Sequence, residues 1–112
     1  MEIKVVQADD TLTHIALAGK LDVAGEGEIG DMFRTVVAGG SLTGVIVDMA
    51  GVTYLASLGI RMLFEGAKAL APHGKKLVVV NPQGMVEETL RTSGTVKLIP
   101  IAATPEEAKG LL

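Results

Sequence analysis

The chain opens on two stretches in which apolar and polar residues alternate. Ile3 and Val5 flank Lys4, and Leu12 to Ala18 carries Thr13 and His14 between apolar neighbours. A period of two is the pattern of a half-buried strand. Asp9-Asp10-Thr11 supplies turn chemistry between the two, so the pair predicts an antiparallel hairpin, with Gly19 closing its second strand. From about Glu28 the period lengthens: Ile29, Met32, Phe33, Val36 and Val37 fall on one helical stripe, which Gly39-Gly40 stops. Val45-Ile46-Val47, ending in Asp48, is a short apolar run of the kind a sheet covers on both faces.

A second stripe of Ile60, Leu63, Phe64, Ala67 and Leu70 follows Ser57 and ends at Pro72-His73-Gly74. Leu77 to Val80 predicts another buried strand. Asn81-Pro82 has the form of an N-cap followed by Pro, opening a helix through Val86, Thr89 and Leu90 to Gly94. Val96 to Ile99 predicts a last strand, and Thr104-Pro105-Glu106-Glu107 opens a terminal helix to Leu111 with a cap, a Pro and a capping-box Glu. Strands that alternate with helices need crossover connections. The expectation is an α/β fold in one domain over residues 1–112: a mostly parallel sheet of four to five strands, an N-terminal antiparallel hairpin and about four helices.

Composition narrows the class. Hydrophobic residues are 48% of the 112, with only 3% aromatic and a mean hydropathy of +0.44. That aliphatic content offsets the entropy of ordering and excludes a disordered chain. The absence of Cys excludes a disulfide scaffold, a thiolate metal site and a Cys nucleophile, and fits a reducing compartment. A net charge of -3 with no Lys/Arg run argues against nucleic acid as a direct ligand. The charge-free stretches Thr35 to Val47 and Met49 to Ile60 fall short of the ~20 apolar residues that span a bilayer. Met-Glu-Ile-Lys lacks the blocks of a signal peptide. A soluble cytoplasmic domain without a membrane segment is expected.

Catalytic chemistry is hard to find. Gly25-Glu26-Gly27-Glu28-Ile29-Gly30 matches a dinucleotide fingerprint, with Asp48 further on. Its first Gly should follow a strand almost directly, yet Gly19 to Ala24 intervene, and Glu26, Glu28 and Asp31 would crowd a diphosphate with negative charge. His14 lies mid-strand and His73 in a turn, so no nucleophile–base pair emerges. Glu87/Glu88 and Glu106/Glu107 are adjacent on helices and share no face, which leaves no acid–base dyad there. No metal-ligand spacing occurs. The reading is a protein that is not an enzyme, with no catalytic residue, metal or cofactor.

The most informative segment runs from Val45 to Leu63. A buried strand ends, an apolar loop crosses the carboxyl edge of the sheet, and Ser57-x-Gly59 opens a helix. Ser57 reads first as an N-cap whose hydroxyl accepts the amide of Gly59 or Ile60. Val52, Tyr54, Leu55, Ala56 and Leu58 make its surroundings apolar, whereas surface loops are usually polar; such a patch beside a helix start is a docking signal. A phosphate on Ser57 would lie at the positive end of the helix dipole with Arg61 nearby, adding about -1.5 to -2 charges to an apolar surface.

Taken together, these segments resemble the STAS-domain anti-sigma-factor antagonists of bacteria. The resemblance runs through the hairpin, Gly19-Lys20-Leu21-Asp22, Val45 to Met49, Val52 to Ile60, Gly74 to Val80, Asn81-Pro82 and Thr104 to Ala108. It implies a non-catalytic partner-switching regulator. Such a domain binds an anti-sigma factor that is also a serine kinase, is phosphorylated on the serine at the helix start, and is reset by a PPM-type phosphatase. By motif position the acceptor is Ser57, and Leu21, Asp22, Tyr54, Leu55, Ala56, Leu58, Gly59 and Arg61 belong to the partner-binding surface. The family usually carries Asp where this chain has Ala56. That departure keeps a second reading open, a STAS module that senses a small ligand or scaffolds an assembly without phosphorylation. An enzyme resting on the glycine match is a third. The apolar edge strand near the N-terminus leaves room for a homodimer.

Overall fold

A computed structural model describes residues 1–39 and 43–112; Gly40, half of the expected helix stop, lies outside them. Strands β1 (Glu2–Ala8) and β2 (Thr13–Leu21) form the antiparallel hairpin, with a register shift between Val5 and Gln7. Helix α1 (Val23–Ala38) leads to β3 (Gly44–Leu55), and α2 (Ser57–Leu70) runs through a 3₁₀ turn at Ala71–His73 to β4 (Lys76–Val80). Helix α3 (Gly84–Thr92) and a second 3₁₀ turn (Thr95–Lys97) precede β5 (Ile101–Ala102), and α4 (Pro105–Leu111) closes the fold. The single sheet has the order β1-β2-β3-β4-β5, parallel everywhere except in the hairpin.

Sequential parallel strands joined by right-handed crossovers put their helices on one face. Accordingly, Ile29 and Phe33 of α1, Met62, Leu63 and Ala67 of α2, and Val86 and Leu90 of α3 share one core with Ile15, Leu17, Val45, Val47, Leu77 and Val79. The opposite face is covered by α4, where Ala108 joins Leu12, Ile46, Val78, Val80 and Ala102. Each strand alternates its side chains between these cores, which is why β3 and β4 read as unbroken apolar runs. A strand order without a reversal also leaves no switch-point crevice of the kind that holds dinucleotides.

Four sequence expectations need correction. Helix α1 begins at Val23, not near Glu28: the Asp22 carboxylate accepts the Gly25 amide at 2.8 Å and caps it. The glycines of the apparent fingerprint therefore lie inside a helix. The stretch Val52 to Leu55, read as loop, is strand, because β3 continues to Leu55 along β2. Asn81 is not the cap of α3; it has a φ of 53°, and Gln83 stands at the N-cap. Val96 to Ile99 is not a strand. Its first half is 3₁₀ turn, and the pairing with β4 is made by Ile101 and Ala102. Thr104 does cap α4, its hydroxyl accepting the Glu107 amide at 3.2 Å.

Gly25 and Gly27 test this packing. A Cβ at Gly25 would stand 2.0 Å from the Lys20 carbonyl oxygen, whereas at Gly27 nothing lies within 4 Å. Alanine is better than glycine in a helix interior by roughly 0.5–1 kcal/mol. Gly27→Ala is therefore expected to stabilise the protein by about that amount in urea unfolding, and Gly25→Ala to destabilise it despite the same propensity gain.

The hairpin turn gives a pH-dependent expectation. Asp9 accepts from the Thr11 hydroxyl at 2.7 Å, from Gln7 Nε2 at 2.9 Å and from the Leu12 and Thr11 amides at 3.0 and 2.9 Å. These bonds, the Thr11 hydroxyl foremost, hold its carboxyl well below the usual carboxylate range. A pKa lower in the folded state stabilises above the unfolded value, about 3.9, and that contribution fades as the pH falls below it. Asp9→Ala should thus lower the unfolding midpoint at pH 7 and differ progressively less from the parent below about pH 4.

Candidate functional site

Beyond Asp48 the strand β3 parts from β4. Its pairing with β4 ends at Asp48–Val80, while its pairing with β2 continues through Gly51–Ala18, Val52–Gly19, Tyr54–Lys20 and Leu55–Leu21. Strand β1 pairs with β2 only as far as Glu2–Ala18, so the stretch Val52 to Leu55 projects as a two-stranded ribbon about 13 Å long. Register shifts between Ala16 and Ala18 and between Gly19 and Lys20 increase its twist. Two helices start from its tip. Asp22 caps α1, and the Ala56 amide donates to the Leu21 carbonyl at 3.0 Å immediately before α2.

Gly59 locks the tip. A Cβ there would come within 2.6 Å of Leu21 Cγ, 2.8 Å of the Leu21 carbonyl oxygen and 2.9 Å of Leu55 Cδ1. Only a residue without a side chain lets the first turn of α2 lie this close to the ribbon. Leu21, Leu55 and Gly59 are accordingly buried, and so is Val52. Of the residues expected on a partner surface, these shape the tip from inside and do not form its outer face. Asp22, Ala56 and Leu58 are half-buried, and Tyr54, Ser57 and Arg61 are exposed.

Ser57 is not the N-cap. Ala56 occupies that position in extended backbone with no side-chain cap, and Ser57 is the first helical residue. The Gly59 and Ile60 amides both donate to the Ala56 carbonyl. The Ser57 hydroxyl makes no hydrogen bond among the described residues and is open to solvent. No acidic side chain occupies the first turn of α2, so the positive end of its dipole is uncompensated. Arg61 lies one turn on, on the same face, with Nε 3.7 Å from Glu65 Oε1. Glu65 also approaches Arg34 of α1 at 3.7 Å. Arg34 is in turn bonded to Glu26, and that bond and these carboxylates raise its pKa above the ordinary arginine value.

Sequence reasoning missed two exposed apolar residues near this edge. Val23, in the first turn of α1, is 72% exposed, and Met85, in the first turn of α3, is 59% exposed, against 44% for Tyr54. The helices that follow parallel strands all begin at the carboxyl end of the sheet, so the three share one end of the molecule. Each helix N-terminus ahead of its stripe carries one apolar residue out of phase with that stripe. That is the signal that would have found them. His14 and His73, by contrast, lie apart: His14 is half-buried in β2 with Nε2 buried and unpartnered, and His73 is exposed after α2. Among the described residues no group of His, Asp and Glu is placed to hold a metal ion, and no helix is long and apolar enough to cross a membrane.

The uncapped start of α2 carries a direct expectation. Ala56 already has the extended conformation of an N-cap residue, so Ala56→Asp would add a carboxylate acceptor for the first-turn amides. We expect a gain of about 1 kcal/mol in urea unfolding, and none for Ala56→Val.

The chain matches the STAS domain over residues 2–108. Among solved structures it resembles an anti-sigma factor antagonist from Mycobacterium paratuberculosis, with a TM-score of 0.82 and 20% identity over 98% of this chain and 93% of that one. A STAS domain protein from Planctomyces limnophilus gives 0.83 and 19% over 97% and 96%. The anti-sigma factor antagonist SpoIIAA in its unphosphorylated form gives 0.78 and 21% over 96% and 92%. SpoIIAA of Bacillus in its phosphorylated form gives 0.70 and 17% over 99% and 100%. At these identities the structures speak for the fold, and the sequence match extends over nearly the whole chain. The protein belongs to the STAS domain family.

Proposed function

We propose that this protein is an anti-sigma-factor antagonist, a non-catalytic cytoplasmic regulator that works by exchanging partners. In its unmodified form the end of the molecule bearing Tyr54, Leu58 and the exposed Val23 docks on an anti-sigma factor that is also a serine kinase. That kinase transfers the γ-phosphoryl group of ATP to the Ser57 hydroxyl, the antagonist dissociates, and a PPM-type phosphatase restores it.

The observation that carries this reading is the state of Ser57. It is exposed, unbonded and set at the uncompensated N-terminus of a helix, in a rim of apolar side chains. A phosphate there would be favoured by the helix dipole and by Arg61. It would also put about two negative charges where a docked interface needs dry apolar contact. One electrostatic step thus stabilises the modified free form and disfavours the complex. Ala56 lies within this rim in place of the family's usual Asp. The described cavities are lined by segments other than Val52 to Leu58, so the apolar stretch beside Ser57 is better suited to a protein partner than to a small ligand.

Incubation with the cognate kinase and ATP should add one phosphate, mapped to Ser57 by peptide mass spectrometry. Ser57→Ala should bind the anti-sigma factor and stay bound when ATP is added, and Ser57→Asp should bind at least tenfold more weakly. A Ser57→Ala variant still released by ATP would overturn the proposal.

A further inference from the structure

At the opposite end of the sheet, where β3 and β4 begin, a cleft of about 400 Å³ opens between the end of α2, the start of β4 and the 3₁₀ turn before β5. Leu98 and Pro100 give it an apolar wall over the buried Leu77, and Lys75, Lys76 and Lys97 lie around it, the Lys76 side chain turned to the other face of β4 by the pleat. No acidic residue lines it.

The lysines are available. Arg34, Arg61 and Arg91 are each engaged by a glutamate, whereas none of these lysines makes an ion pair among the described residues. Nor are they needed to close the end of α2, whose last carbonyls are satisfied by backbone. The Ala71 amide donates to Ala67, Gly74 to Ala71 at 3.0 Å, and Lys75 to Leu70 at 3.2 Å. The like charges of Lys75 and Lys97 across one cleft repel each other and focus a positive potential into it, and an anion relieves both. Leu98 is left substantially exposed beside them, an apolar surface that folding does not use. The volume falls in the range of small-molecule sites.

We propose that this cleft binds a small amphipathic anion, a short acyl or alkyl chain ending in a phosphate or carboxylate. Its apolar part covers Leu98 and Pro100, and its head group is held by Lys75 and Lys97. The site goes beyond the partner-switching role and is separate from its surface. Ala67 of α2 lines the cleft and Ser57 begins the same helix, about 15 Å away along its axis.

The test is an amide chemical-shift titration of the whole chain with octyl phosphate below its micelle concentration. Saturable shifts are expected at Lys75, Lys76, Lys97 and Leu98. Affinity should fall at least tenfold in the Lys75→Gln/Lys97→Gln double variant, neither position being buried so that the fold is retained. Inorganic phosphate and octanol, each carrying half of the chemistry, should bind at least tenfold more weakly. Octanol binding equally well, an unchanged affinity in the double variant, or shifts that do not saturate would overturn the proposal. Flotation with vesicles of phosphatidylglycerol in phosphatidylcholine identifies the source. Lysine-dependent co-flotation means a lipid headgroup, and octyl phosphate binding without co-flotation means a free small molecule. None of these readouts depends on Ser57 or on a kinase, so the proposed switch stands or falls separately.

Discussion

The close approach of Gly59 to Leu21 and Leu55 fixes the geometry on which the rest of the molecule's working end depends. The ribbon of β2 and β3 projects past the last rung shared with β4 and then, beyond Ala18, past the last rung shared with β1. A two-stranded ribbon is marginal alone. It is held here because α2 turns back against its tip with backbone nearly touching side chain, and because the Ala56 amide closes a hydrogen bond to Leu21. A side chain at position 59 would lift the helix away and expose Leu21, Val52 and Leu55 together. The start of α2, and with it Ser57, is positioned by that single contact region.

The same constraint explains why an apolar segment need not be an apolar surface. Val52, Tyr54, Leu55, Ala56 and Leu58 look alike in the sequence, but the ribbon's pleat and the turn into α2 divide them. Val52 and Leu55 point into the core beneath α2, and Tyr54 points out. What remains outside is a thin rim, extended by Val23.

The fold was legible wherever a segment's own period named its partner surface. The stripes of α1 and α2, the runs Val45 to Val47 and Leu77 to Val80, the Asp9 turn and the Thr104 cap all follow from local chemistry. The segments that misled did so because their state is set by distant atoms. Gly25 and Gly27 have poor helix propensity, yet they are helical because Asp22 caps them and because the Lys20 carbonyl leaves no room for a Cβ at position 25. Val96 to Ile99 has strand composition. Pairing with β4 is nevertheless made two residues later, and Thr95 to Lys97 tightens into a turn that lets Ile99 reach the core. The start of α2 at Ser57 follows from spacing alone, whereas the cap belongs to Ala56, one residue earlier than the serine suggests.

The sequence by itself determined the class of the fold, the positions of its core stripes, and the place of the serine at a helix start. These are properties of adjacent residues, carried by hydrophobic period, turn chemistry and composition. Tertiary structure decided which apolar residues face the solvent, that β3 outruns β4 to carry α2 on a ribbon, and that lysines from two distant segments share one cleft. Each of these depends on strand register and on backbone approach across the chain. Register moves a side chain from one face of a sheet to the other with a shift of one residue, and nothing local to the residue records it.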